Sequence, residues 1–229
     1  EAAHEKLLRE AGDLTDQARD ALLRKEADAC VVFNSLGWAR SALVPLPRGW
    51  EGASNREGIR PVQTIGTQRY AEVTVPSCGW TTLRKSPPSA GIPSREPRAT
   101  AGVRTLENEW LKIVLNGRGE IVSLRDRETG HEWAAAPMNR FRLFCDVPRA
   151  YDAWDLDSNY ELFEEPIKGE ARIEKVASGP LAAVLRITRP IGRSTLTQEI
   201  WLRRSSRRLD FRTVVDWHEK HRLLKVAFP

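Results

Sequence analysis

At Cys30 the apolar residues change period, and that change limits the architectures open to the chain. Before it, Leu7, Ala11, Leu14, Ala18 and Ala21 recur at spacings of four and three, with Leu8 and Leu22 widening the stripe. Residues 1–27 therefore read as one amphipathic helix from a helical bundle. Such a helix needs partners, because its stability comes mainly from burying its apolar face. No second helical stripe follows, so the bundle lies upstream or is replaced by packing on the β domains. After Cys30 the pattern is short β-branched and aromatic runs punctuated by Pro and Gly, which marks antiparallel β structure. The expected class is mainly β: antiparallel β-sandwich domains preceded by one N-terminal helix.

The runs group into two regions. CVVFNSLGW, SALVPLP, RPVQTIG, YAEVTVP and GWTTLRK each have strand length and end in turn residues, which predicts a small β-sandwich over residues 28–86. Residues 87–102 contain four prolines and little that can be buried, and read as a linker. From Val103, LENEWLKIVLNGRGEIVSLRDRETGHEW has the form of a β-meander, with its first turn at Asn116 to Gly119. FRLFCDV, an acidic and aromatic loop from Tyr151 to Glu165, and five later strands extend it into a large C-terminal β-sandwich over residues 103–229. The chain begins at Glu1 without Met and stops inside the apolar run LLKVAFP, so both ends are expected to be cuts through a longer protein, and the second sandwich to be truncated.

Composition excludes several classes. The longest apolar stretches fall far short of the roughly 20 residues that span a bilayer, and the charged N-terminus does not resemble a signal segment. A soluble, cytoplasmic protein with no membrane partner is expected. Three cysteines, Cys30, Cys78 and Cys145, are widely spaced with no CxxC pair, and read as small buried apolar residues. The net charge of +5 is spread along the chain. Its one dense cluster, RRSSRR from Arg203 to Arg208, reads as a solvated hairpin turn in preference to a nucleic-acid patch, so no nucleic-acid partner is expected.

The segments VVFNSLGWARSALVPLP (Val31 to Pro47), LENEWLKIVLNGRGEIVSLRDRETG (Leu106 to Gly130), FRLFCDVPRAYDAWDLDSNYE (Phe141 to Glu161) and STLTQEIWLRRSSRRLDFRTVVDWHEKHRLLKVAFP (Ser194 to Pro229) carry a resemblance. Together they are similar to the middle and C-terminal β domains of family 38 (class II) α-mannosidases, over about residues 28–229. The helix before Cys30 resembles the last helix of the three-helix bundle that precedes those domains. The resemblance implies a retaining exo-hydrolase of α-mannosides or glycans, with two carboxyl groups and a zinc ion held by His and Asp in an N-terminal β/α barrel. None of the barrel motifs is present. The chain is therefore expected to carry no catalytic residue, no metal ligand and no cofactor of its own, to contact the barrel within one polypeptide, and to buttress it.

Within the chain, Asp152, Asp155, Asp157, Glu161, Glu164 and Glu165 form the one carboxylate cluster. A structural acidic loop is favoured over an acid–base pair. Between these readings stands a third, in which the loop faces the barrel and lends Tyr151, Asp152 or Asp155 to the rim of the sugar site, with Trp154 placed to stack on a pyranose ring. For Trp38, Trp80, Trp110, Trp133, Trp201 and Trp217, core or turn packing is expected. WHEKH places His218 and His221 one residue short of HExxH spacing, and on a strand the two rings would point to opposite faces. Cys145 beside Asp146 reads as a buried thiol and not as a nucleophile. A free-standing carbohydrate-binding or interaction module is the alternative function. Purified and dialysed, the chain should contain no stoichiometric zinc by elemental analysis; one tightly bound zinc per chain would contradict the fragment reading.

Overall fold

The structure, a computed structural model, describes residues 2–23, 26–88, 98–151 and 154–229. These residues are mainly β, with five antiparallel sheets and, among the described residues, a single α-helix, at the N-terminus. The helix α1 (Ala2–Leu22) ends five residues short of the expected 27, and Asp28 at φ 56° turns the chain into the first strand. None of its residues is buried, and Leu7, Leu8, Leu14 and Leu22 are each at least 60% exposed. The apolar stripe is real, and the β sheets do not cover it.

Seven strands follow: β1 (Ala29–Asn34), β2 (Arg40–Pro45), β3 (Gly52–Asn55), β4 (Gly58–Arg60), β5 (Val62–Ile65), β6 (Gln68–Val75) and β7 (Gly79–Ser86). They form two sheets, ordered β1-β7-β3-β4 and β2-β6-β5. Alternate residues point inward, as the pleat requires, and Leu46, Trp50, Ala53, Ala71, Val73, Val75 and Leu83 make the core between them. Trp50 is nearly fully buried there.

Eleven strands complete the chain: β8 (Thr100–Ala101), β9 (Thr105–Glu107), β10 (Leu111–Leu115), β11 (Ile121–Asp126), β12 (Arg140–Cys145), β13 (Glu164–Glu165), β14 (Arg172–Ala177), β15 (Ala182–Ile191), β16 (Ser194–Arg203), β17 (Leu209–Asp216) and β18 (Arg222–Ala227). The meander is β11-β10-β9-β8. Its strand β8 falls at the end of the stretch expected to be linker, because Ala99 is fully buried and bridges Gly179. The β10–β11 turn is tied by Asn116, whose Oδ1 accepts from Arg118 N at 2.9 Å and Glu120 N at 3.0 Å, while Gly119 takes φ 78°.

The central sheet is β14-β15-β16-β17. In β15 the run AAVL (182–185) is apolar at successive positions because both faces are covered, as in strands buried on two sides. Ala183, Leu185 and Ile187, with Ile200 and Leu202 of β16, pack on Leu106, Leu111, Ile113, Leu115 and Ile121 of the meander. Further along the same face, Ile191 and Leu196 meet Leu143 of the third sheet, β13-β12-β18. On the opposite face Ala182, Val184 and Trp201 pack on Ile65 of the first sandwich.

A buried side chain stitches that seam. Gln63 Oε1 accepts from Leu181 N at 2.7 Å and Ala182 N at 2.9 Å, and its Nε2 donates to Ala182 O at 2.8 Å. Around it, Tyr70 meets Trp201 edge-on with ring centroids 5.7 Å apart, and Arg204 pairs with Glu72 at 2.6 Å.

Arg204 belongs to RRSSRR, which is more than a solvated turn. The β16–β17 connection is a hairpin, but Arg203 donates to Ser41 O at 3.0 Å, Arg207 pairs with Asp126 at 3.0 Å and with Glu128, and Arg208 pairs with Asp210. The arginines bind neighbouring elements on both sides of the turn, which is why the charge clusters there. The tryptophan expectation is also corrected. Trp201 is buried and Trp110 packs against the core beneath Arg207, but Trp38, Trp80 and Trp133 are exposed and Trp217 lies at the surface. Cys78 is exposed at φ 43°, and Cys30 and Cys145 are half-buried. Burial pushes the Cys30 thiol up.

Gln63→Met fills similar volume but leaves two N–H groups and a carbonyl without partners in the seam. It should lower unfolding free energy by about 2–4 kcal/mol in urea titrations; a loss below about 0.5 kcal/mol would mean that the seam does not depend on this amide.

Candidate functional site

The acidic, aromatic loop leaves β12 at Cys145 and returns at β13. Its root is fixed. Phe144 is fully buried and meets Tyr160 edge-on, with centroids 5.2 Å apart. Lys225 of β18 lies 4.5 Å over the Tyr160 ring, and its ammonium donates to the Tyr160 hydroxyl oxygen. The returning segment Tyr160–Phe163 is one 3₁₀ turn, entered by Tyr160 N donating to Asp157 O at 3.1 Å.

Two of the loop's six carboxylates are spent on holding this root. Glu164 accepts from Arg142 at 2.6 Å and pairs with Arg140 at 3.5 Å, and Glu165 accepts from Arg222 Nε at 2.8 Å. The Arg142 hydrogen bond is the main force holding the Glu164 carboxyl below its ordinary value; partial burial opposes it and the charges of Arg142 and Arg140 assist it. Glu161 accepts from the Tyr160 hydroxyl at 3.0 Å. Glu164 and Glu165 are thus structural braces of the root.

The tip is different. Tyr151 adopts φ 56°, and its carbonyl accepts from both Trp154 N at 2.7 Å and Asp155 N at 2.9 Å. This tight turn presents Tyr151, 75% exposed, and Trp154, 87% exposed, with Asp155 exposed beside them. A large aromatic surface left open next to a free carboxylate has the chemistry of a sugar-binding rim: a stacking face flanked by a hydrogen-bond acceptor. Asp152, expected to share this role, lies outside the described residues.

The other sequence candidates do not join it. His218 and His221 sit in the connection between β17 and β18, not on a strand, with His218 Nε2 3.0 Å from Asp216 Oδ1. Glu219 between them closes the β15–β16 turn by accepting from Arg193 N at 2.6 Å and Ser194 Oγ at 3.1 Å. Cys145 lies 3.8 Å from Arg222 Nη1. Among the described residues no three His, Cys, Asp or Glu side chains are grouped to hold a metal ion. Nor is any helix among them long and apolar enough to cross a membrane. Sequence reasoning missed the arginines that brace the root, because their partners lie 22 and 57 residues away.

Residues 106–229 match the model of the glycosyl hydrolases family 38 C-terminal domain. The chain is 30% identical over 216 residues to alpha-mannosidase 2C1 of Homo sapiens, covering 88% of this chain and 19% of that protein. It is 25% identical over 225 residues to alpha-mannosidase G of Dictyostelium discoideum, covering 88% and 20%. It thus spans about a fifth of the length of these curated relatives. The crystal structure of a protein in the glycosyl hydrolase family 38 from Enterococcus faecalis superposes with a TM-score of 0.66 at 15% identity, covering 96% of this chain and 35% of that one; this likeness is one of fold.

The braced root makes a pH prediction. Because the folded value of Glu164 is depressed, its pairing stabilises the loop root above the ordinary glutamate range, about 4.3, and that contribution is lost as pH falls through the depressed value. Carboxyl NMR titration should find Glu164 below the ordinary range, and Arg142→Gln should move it upward; an unmoved midpoint would remove Arg142 as the cause.

Proposed function

Since the chain belongs to glycosyl hydrolases family 38 as a C-terminal domain of that family, we propose that it is the non-catalytic β part of an α-mannosidase acting on terminal α-mannosides of glycans or oligosaccharides. In this reading its sandwiches buttress a catalytic barrel in the same polypeptide, and the Tyr151–Asp157 tip completes the rim of the sugar site. The zinc and the reacting carboxylates belong to that barrel. The observation that carries the rim role is the tip itself: Tyr151 and Trp154 held almost fully open, beside Asp155, on a root fixed by Phe144, Tyr160 and Arg142. A connector needs neither exposed rings nor a rigid base, whereas a rim needs both, since positioning depends on residues that do not move. The uncovered stripe of α1 supports contact with further helices of the protein. The unpaired thiols of Cys30, Cys78 and Cys145 suit a cytoplasmic enzyme.

By itself a rim is half a site, so the 229-residue chain should neither hydrolyse an aryl α-mannoside nor bind mannosides measurably. Mannoside binding by the chain alone would favour the carbohydrate-binding module, with Trp154 as its platform. In the full-length protein, Asp155→Asn keeps shape and removes charge. It should lower kcat/KM by about 1.5–3 kcal/mol of transition-state binding, roughly tenfold to 150-fold. Full efficiency with full stability would reduce the tip to a surface connection, and lost stability with normal activity of the folded fraction would make it a brace.

A further inference from the structure

One charged side chain sits where the pattern of β15 calls for an apolar one. Ala183, Leu185, Ile187, Arg189 and Ile191 point to the same face of the central sheet, because they alternate along one strand. Ile187 packs on the meander and Ile191 on the third sheet. Arg189 falls between them, where those two covering sheets part, and it lines a cleft of about 440 Å3 left by the gap. It is 4% exposed, yet its guanidinium donates no hydrogen bond to any described residue, and its Nε is fully enclosed without an acceptor.

Two of the three carboxylates at the cleft are already held by arginines. Glu164 is held by Arg142 and Arg140, Glu165 by Arg222, and Glu120 accepts from Asn116 Nδ2 at 2.7 Å. Arg118 adds further positive charge to the wall. Burial lowers the Arg189 pKa, Glu120 raises it and Arg118 lowers it further. A guanidinium is the side chain best shaped to grip an oxyanion through two parallel N–H donors. Leaving one buried without a hydrogen-bond acceptor beside an open cleft is costly, even with the Glu120 charge nearby, unless something anionic enters.

We propose that this cleft is an oxyanion site, in which Arg189 at the floor and Arg118 at the wall hold a phosphate or carboxylate group of a small acidic ligand. The site is built by the fold. The turn carrying Arg118 comes from the meander, Arg140 and Arg142 begin β12, and Arg189 comes from the strand that both sheets cover. It uses none of the residues of the Tyr151–Asp157 tip and does not depend on the role proposed for them.

The test is thermal unfolding of the 229-residue chain at constant ionic strength, with chloride replaced stepwise by inorganic phosphate or by acetate. A saturable rise in Tm with either anion is expected, and the tighter of the two identifies the group the site prefers. Arg189→Met should weaken the apparent affinity by at least about tenfold, as expected for loss of a bidentate charged grip. Arg118→Ala, at a surface turn that tolerates substitution, should weaken it by about threefold and serves if Arg189→Met does not fold. A response that neither variant diminishes, or no saturable response to either anion, would overturn the proposal.

Discussion

The hairpin β15–β16 is buried on both faces, and most of the remaining structure is arranged by that requirement. Ten residues of each strand pair from Ala182 with Arg203 to Ile191 with Ser194. A one-residue slip would exchange the two faces, placing Leu185 and Ile200 against the first sandwich and Trp201 against the meander. Three devices oppose the slip. Gly192 turns at φ 60°, a backbone conformation that residues with a side chain rarely adopt. Trp201 is held on its face between Tyr70 and the guanidinium of Arg212, 3.9 Å from its ring. Gln63 hydrogen-bonds the backbone at Leu181 and Ala182 and so ties this end of the hairpin to the first sandwich.

The same sheet also anchors the root of the candidate site. β12 lies on the covered face of the same sheet through Leu143, and the buried ring of Phe144 passes that order to Tyr160 and so to the returning half of the loop. Order fades outward along a short path: a packed ring, then arginine–carboxylate pairs, then one turn around the carbonyl of Tyr151, then open side chains. The tip can present large rings to solvent because the free energy holding it is supplied at the root and not by the rings themselves.

Periodicity made the classes of element legible. The stripe from Leu7 to Leu22 and the alternating runs after Cys30 specify helix and strand locally, and AAVLRI, AEVTV and LKIVL could be placed without any partner in view. What periodicity does not contain is which of two faces is covered. Trp80 and Leu83 occupy one strand, β7, at positions of opposite parity, so the core claims Leu83 and leaves Trp80 at the surface, 47% exposed. Polar contacts over long separations were equally hidden: Gln63 with Ala182 across 119 residues, Arg204 with Glu72 across 132, Arg207 with Asp126 across 81. RRSSRR looked like a solvated turn because its partners cannot be read from its own neighbourhood. The Tyr151–Asp157 segment was conspicuous by composition, but nothing in its residues says that Glu164 and Glu165 are braces while Asp155 stays open.

The separation between Gln63 and its partner has a consequence in time. At a synthesis rate of ~5–20 residues per second, the 119 residues from Gln63 to Ala182 take roughly 6 to 24 s to emerge. Through that interval β5, the outermost strand of β2-β6-β5, waits as a bare edge. Bare edges recruit strands from other nascent chains, and short length discourages it. β5 is only four residues long, so while the seam is still missing the half-made protein offers a wrong neighbour little edge to pair with.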